Sequence, residues 1–351
     1  MRVATILRGF PGLGRVVAGV EVTSVLRRLH NAQTRIYSYL NGWEYLKYFH
    51  EHDCYRVDDQ NISCIGIIPV SPGGEALLGE VCHWRPDVIV CDGEPLLVRS
   101  FRLTCPSATI IVLLNPFDVY NPINPFSSQL FFNDCYSNAD IAIVHGLTSV
   151  KDTFGFSHFH SIPTIVRSEI LSLRKNGEDR DHVVCILGGG SNTTDPQFAE
   201  SSLKAALKCA DVVLSTRSEP LHIFCGSNDI SRHLQKSIDD ERLRIYGQIA
   251  SAKELYARTK IAVARGGRNT LSEILYLGLP ALAFATSAFY RGNEQSENIN
   301  AVESLSGGRI LPFTSSSSTE EIVLALAAAE DSSKTSTTWQ PGNCFLNEIL
   351  G

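Results

Sequence analysis

The stretch Arg265-Gly266-Gly267-Arg268-Asn269-Thr270-Leu271-Ser272-Glu273 is followed by Gly278-Leu279-Pro280 and then by Glu294-Gln295. Its reading decides the fold. The apolar run Ile261–Ala264 before it reads as a strand, the glycines as a turn, and Leu271–Leu277 as a helix. The first N–H groups of an α-helix lack intrahelical acceptors, and glycines let a ligand come close to them, so this corner suits the phosphates of a nucleoside diphosphate. Asn269 or Thr270 can cap the helix or add a donor. Glu273 lies about one turn beyond Asn269 on the same face, where a carboxylate accepts hydrogen bonds from ribose hydroxyls. Glu294 and Gln295 are expected to open the next loop-to-helix boundary, beside a sugar attached to the diphosphate. Gly-Gly-x-Asn alone is more simply a capped turn; the length of the run carries the functional reading.

Outward from this corner the chain alternates strands and helices. Toward the N-terminus, Val3–Leu7, Thr34–Leu40, Cys64–Pro69, Asp87–Cys91, Thr109–Leu114 and Ile141–Val144 read as strands, with a helix over Arg15–Leu29. A second series has strands at His182–Leu187, Leu221–Cys225, Arg242–Tyr246, Ile261–Ala264 and Ala281–Phe284. Its helices are expected at Ser201–Cys209, Ala252–Arg258, Leu271–Leu277, Glu294–Ser304 and Thr319–Ala329. This is the rhythm of parallel, doubly wound α/β sheets. The expected division is a first domain over 1–166, a polar linker over 167–181, a second domain over 182–330 and a tail over 331–351.

Ligands of such sheets bind at strand ends. Leu187-Gly188-Gly189-Gly190-Ser191-Asn192-Thr193 ends the first strand of the second domain, with glycines for close approach and hydroxyls to donate. Cys225-Gly226-Ser227 is a weaker case, read as structural. In the first domain, Gly12-Leu13-Gly14-Arg15 follows the first strand, and Asp92-Gly93-Glu94-Pro95 follows a strand reading VIVC. Asp92 and Glu94 are candidate proton acceptors, because two carboxylates close together can share one proton; helix capping explains them as well. His145 reads as a strand-end residue and Glu21 as a helical one. The proline- and aromatic-rich run Asn115–Asn133 reads as a loop and a candidate acceptor contact.

The central run resembles the donor-site signature of GT-B glycosyltransferases of the MurG-like and UDP-glycosyltransferase kind: Gly-Gly-x-Asn-Thr, then Glu, then Gly-x-Pro, then acidic-Gln. Asn298, Val302-Glu303 and Gly307-Gly308 continue the pattern, and the likeness is good over about 185–312. It implies two doubly wound Rossmann-like domains facing across a cleft, the first for the acceptor and the second for a nucleotide sugar, with the end of the chain folding back to the first. It implies donor contacts from Gly189, Gly190, Ser191, Ile249, Arg265, Gly266, Gly267, Asn269, Thr270, Glu273, Glu294 and Gln295. Tyr246 or Ile249 would cover a nucleobase, and Arg265, with Arg291 as a weaker candidate, would neutralise the leaving diphosphate. Gly12, Gly14 and Arg15 would meet the acceptor. Many relatives carry a histidine base after the first glycine loop; Arg15 stands there, and arginine cannot serve as a base, so the role passes to Glu94 or Asp92.

The expected reaction is inverting, metal-independent sugar transfer from a nucleoside-diphosphate sugar to a small-molecule or lipid-linked acceptor. UDP is preferred because Glu273 can bridge two ribose hydroxyls. No cofactor or metal is called for; no Asp-x-Asp triad lies near the donor motif. The alternatives are a nucleotide-sugar hydrolase, a UDP-sugar 2-epimerase of the same fold, or a non-catalytic nucleotide-sugar-binding subunit. Composition agrees with an enzyme of two domains: 351 residues, 44% apolar and 19% charged, with a net charge of −6 that gives no sign of nucleic-acid binding. No run is long and apolar enough to span a membrane, and the N-terminus reads as a strand, not a signal peptide. The 10 cysteines include no Cys-x-x-Cys pair and are read as reduced thiols of a cytoplasmic protein.

Overall fold

The computed structural model describes residues 1–10, 12–58, 62–63, 65–173, 180–188, 196–226, 228–247, 251–287, 289–332 and 339–351. The chain forms two compact units, Met1–Ile165 with Gly342–Gly351, and Val166–Pro341.

The first unit runs β1 (Arg2–Leu7), α1 (Gly14–His30), β2 (Gln33–Ser38), α2 (Leu40–Leu46), β3 (Asp53–Arg56), α3 (Pro72–Trp84) and β4 (Val88–Asp92). It continues with α4 (Pro95–Thr104), β5 (Thr109–Leu114), α5 (Pro116–Val119), α6 (Phe126–Tyr136), β6 (Ile141–Gly146) and β7 (His158–Pro163). The second runs α7 (Ser168–Leu171), β8 (His182–Ile186), α8 (Pro196–Thr216), β9 (Leu221–Phe224), α9 (Asn228–Ser237), β10 (Leu243–Tyr246) and α10 (Ala252–Ala257). It ends with β11 (Thr259–Arg265), α11 (Arg268–Leu277), β12 (Ala281–Phe284), α12 (Phe289–Ser306), β13 (Ile310–Pro312) and α13 (Thr319–Ser332). The last helix, α14 (Asn343–Leu350), belongs to the first unit, where it packs on α1.

Both sheets are parallel, ordered β3-β2-β1-β4-β5-β6-β7 and β10-β9-β8-β11-β12-β13. Such strands are covered on both faces, which is why they read as unbroken apolar runs. In the first unit, Ile6, Ile89, Val112 and Val144 point to the side of α4, with Leu97 and Phe101. Val3, Val90, Ile111 and Leu113 point to the other, where Val22 and Leu26 of α1 meet Leu346 and Leu350 of α14. In each sheet the chain winds outward from one strand, returns, and winds the other way. The switch falls between β1 and β4 in the first sheet and between β8 and β11 in the second. A crevice opens at the carboxyl ends of strands where the winding reverses. The loops after β1 and β4, and those after β8 and β11, therefore hold the candidate residues.

Several expectations need correction. Of the expected strand Cys64–Pro69, Cys64 lies outside the described residues and Ile65–Pro69 is not a strand: Gly66 has φ +111°, and Ser63 and Gly66 exchange backbone hydrogen bonds. The third strand is instead Asp53–Arg56, an edge strand without an apolar run to announce it. Asn115–Asn133 is not one loop but holds α5 and the start of α6. Arg167–Leu173, read from composition as linker, lies in the second unit and includes α7.

Candidate functional site

In the second unit β11 delivers Arg265 to the sheet edge, and Gly266 and Gly267 turn the chain into α11. Gly267 is the N-cap, with φ −75° and ψ 128° and no side-chain cap bond, so neither Asn269 nor Thr270 caps the helix; both lie in its first turn. The N–H groups of Arg268, Asn269 and Thr270 precede the first intrahelical bond, Leu271 N to Gly267 O at 3.0 Å. The two glycines differ in what they do for the fold. A Cβ on Gly266 would stand 2.7 Å from the carbonyl oxygen of Gln295, so α12 packs against bare backbone there; a Cβ on Gly267 would meet nothing nearer than 3.9 Å. Asn298 Nδ2 donates to Gly266 O at 3.1 Å, fixing the turn from the α12 side.

Arg265 is buried. Its guanidinium lies 4.4 Å from the Phe198 ring centroid, and its Nη2 packs 2.8 Å from where a Cβ on Gly188 would be. This joins the β8 and β11 sides of the switch point. Glu273 is 1% exposed. Arg167 Nη1 lies 3.3 Å from its Oε1 and 3.4 Å from its Oε2. Burial lifts the Glu273 carboxyl above its ordinary range; the Arg167 charge and the Tyr256 hydroxyl pull the other way. Neither Arg167 nor Tyr256 carries a sequence signal, since both are met only through the fold.

Glu294 and Gln295 do not open a helix. They lie inside α12, which begins at Phe289. Gln295 is buried and its Oε1 accepts from Thr286 N at 2.7 Å, tying α12 to the end of β12. Tyr246 stacks on Phe224 of the neighbouring strand at 4.6 Å, so its ring serves the sheet. Gly189, Gly190, Ser191 and Ile249 lie outside the described residues, as does the side chain of Arg291.

In the first unit, Gly12 and Gly14 flank the start of α1, and Arg15 points back to β4. Arg15 Nη1 reaches Asp92 Oδ1 at 2.6 Å and Nη2 reaches Asp118 Oδ1 at 2.8 Å. Burial opposes charge on Arg15, but Asp118 and Asp92 outweigh it and hold the guanidinium firmly protonated. Arg15, expected to meet the acceptor, is thus engaged by two carboxylates. Gly93 has φ +80°, and a Cβ there would come 2.6 Å from Arg15 Cδ, so this corner requires glycine. Glu94, at the α4 N-cap, makes no capping bond. Fully buried, its Oε1 accepts from the Tyr39 hydroxyl at 2.6 Å and its Oε2 from Ile67 N at 2.7 Å. Burial pushes it up to about 7 against those two donors and the charges of Arg8 and Arg15. As placed, Glu94 ties Tyr39 and Ile67 to the start of α4. His145 is buried too, and its Nδ1 accepts from Ile165 N at 3.3 Å.

Residues 183–341 match the glycosyltransferase family 28 C-terminal domain. Acinetobacter baumannii MurG superposes with a TM-score of 0.57 at 14% identity, covering 99% of both chains. The spinosyn rhamnosyltransferase SpnG complexed with thymidine diphosphate gives 0.60 at 12%, covering 100% of both. The chain has the GT-B glycosyltransferase fold. A putative UDP-N-acetylglucosamine 2-epimerase from Listeria monocytogenes shares it, with a TM-score of 0.65 at 14% identity over 100% of this chain and 94% of that one. No curated protein matches by sequence. Among the described residues no helix is long and apolar enough to cross a membrane.

Proposed function

We propose that this GT-B protein transfers a sugar, with inversion and without a metal, from a nucleoside-diphosphate sugar to a small-molecule or lipid-linked acceptor. The observation that carries the reading is the glycine-capped start of α11 at the β8/β11 switch point, with a buried carboxylate one turn further on. The diphosphate would lie against the first N–H groups of α11, with Arg265 balancing its charge. Glu273 would take the ribose hydroxyls, and its two oxygens favour a ribonucleotide, UDP first. The proton of the attacking hydroxyl would pass to a carboxylate at the β1/β4 switch point. Asp92, paired with Arg15 through Oδ1, is the first candidate; Glu94 has the better matched proton affinity but both its oxygens are engaged.

The test is calorimetric titration with UDP, dTDP and their sugar conjugates, followed by turnover with an acceptor panel. Glu273→Ala is expected to weaken UDP binding at least tenfold while dTDP changes less. Asp92→Asn is expected to keep nucleotide affinity and lose turnover. Wild-type protein that binds no nucleoside diphosphate sinks the proposal. A second reading, a UDP-sugar 2-epimerase, is favoured by the Listeria structure's higher TM-score. It predicts interconversion of the sugar's C2 epimers with no acceptor present.

A further inference from the structure

Two helices of the first unit end side by side with a thiol each. Cys82 lies in the last turn of α3, and Cys105 is the C-cap of α4. Their Sγ atoms are 3.1 Å apart, and both are free thiols. Cys82 is half-buried and its Sγ also donates to Thr104 O at 3.8 Å; Cys105 is 9% exposed and lies in the core between α3 and α4. A disulfide needs its sulfurs at about 2 Å, about 1 Å closer than the 3.1 Å at which these stand. The second unit contrasts: Cys185 and Cys209 are both sealed in its core, beyond the reach of an oxidant.

We propose that Cys82 and Cys105 form a reversible disulfide that ties the end of α3 to the end of α4, with a low-molecular-weight disulfide as oxidant. The Cys82 thiolate, on the accessible side, attacks one sulfur of the small disulfide RSSR. This gives a Cys82–S–S–R mixed disulfide and releases one RS⁻, which takes up a proton. The Cys105 thiol then loses its proton and attacks Cys82 Sγ, expelling the second RS⁻. Two protein thiols and one RSSR become one protein disulfide and two RSH. Burial, then its own hydrogen bond to Cys82 Sγ, pushes the Cys105 thiol up to about 11, so it is the slower nucleophile and acts second, from within contact distance. The tie would brace α4, which starts beside Glu94 and ends at Cys105.

The test uses the full chain incubated with oxidised glutathione, quenched by alkylation, and mapped by mass spectrometry. Cleavage after Glu80 separates Cys82 from Cys64. The expected result is a peptide linking Cys82 to Cys105 and two fewer alkylated thiols than in the reduced protein. The melting temperature of the first unit should rise by roughly 5–10 °C, reversed by dithiothreitol. Cys105→Ser should leave Cys82 as a glutathione mixed disulfide without the thermal gain; if that variant does not fold, the wild-type map still decides. Alkylation of both sulfurs, a stable Cys82 mixed disulfide in the wild type, or linkage of Cys82 to any other cysteine overturns the proposal. A linked protein that melts no higher than the reduced one overturns the brace.

Discussion

The behaviour of single side chains at the two switch points is set by how much water they lose and what replaces it. Glu94 ordinarily titrates near 4.5, and burial lifts it to about 7. The folded state therefore holds its proton more tightly than the unfolded chain. Its contribution to stability is complete below about pH 4.5 and is lost as the pH rises through 7. Tyr39 can serve both forms, donating to the carboxylate or accepting from the acid across 2.6 Å. Urea unfolding of wild type and Glu94→Gln at a series of pH values should show wild type losing stability relative to the variant between pH 5 and 7.5; a difference flat in pH sinks this account. Arg15 is a different case, a guanidinium set 2.6 Å from the nearly inaccessible Asp92 carboxylate. Arg15→Met removes the cation that pairs with buried Asp92 Oδ1 and should cost about 3–5 kcal/mol, with part recovered in the Arg15→Met/Asp92→Asn double variant. Additive losses in that cycle would mean the two residues do not act as a pair.

At the scale of elements, the corner from β11 to α11 separates packing from ligand approach. Gly266→Ala drives a methyl into Gln295 O at 2.7 Å and should destabilise the second unit by about 1–3 kcal/mol through displacement of α12. Gly267→Ala meets no such neighbour and should cost about 1 kcal/mol or less, most of it the poorer N-cap. If phosphate approaches at Gly267, however, the same methyl should reduce nucleotide affinity far more than it reduces stability. Equal, small effects on both would leave Gly267 a plain cap. The sequence made this corner legible because a glycine turn between an apolar run and an amphipathic helix is a local signal. The central parallel strands were legible for the same reason, as unbroken apolar runs. Edge strands such as Asp53–Arg56 were not, because half-covered strands need no apolar run. Nor could sequence show that Arg15 would pair with Asp118, that Tyr39 and Ile67 would occupy Glu94, or that Arg167 would face Glu273. Each partner is remote in the chain and brought near only by the sheet order.

For the whole molecule, the chain's path gives the first unit a dependence on its last residues. Residues 342–351 return to it after the whole of the second unit has been traversed. Leu346 and Leu350 of α14 enter the core beside Val22 and Leu26 of α1, while Arg28 Nη2 donates to Asn347 at 2.8 Å and His30 bonds to the Leu350 carbonyl at 2.8 Å. Two buried leucines are worth roughly 3–6 kcal/mol of transfer free energy, a large share of what a domain of this size has to spare. A chain ending at Pro341 should therefore lose stability in the first unit and keep it in the second, whose core contains none of these residues. Hydrogen exchange read by mass spectrometry distinguishes the two. Peptides covering β1, β4 and α1 should exchange at least tenfold faster in the shortened chain, while those covering β8 and β11 keep their protection. UDP added to either chain should slow exchange around α11 to the same extent. Loss of that slowing in the shortened chain would mean that the nucleotide site depends on the first unit being folded, and that the second unit is not the self-sufficient binding body its own core and switch point suggest.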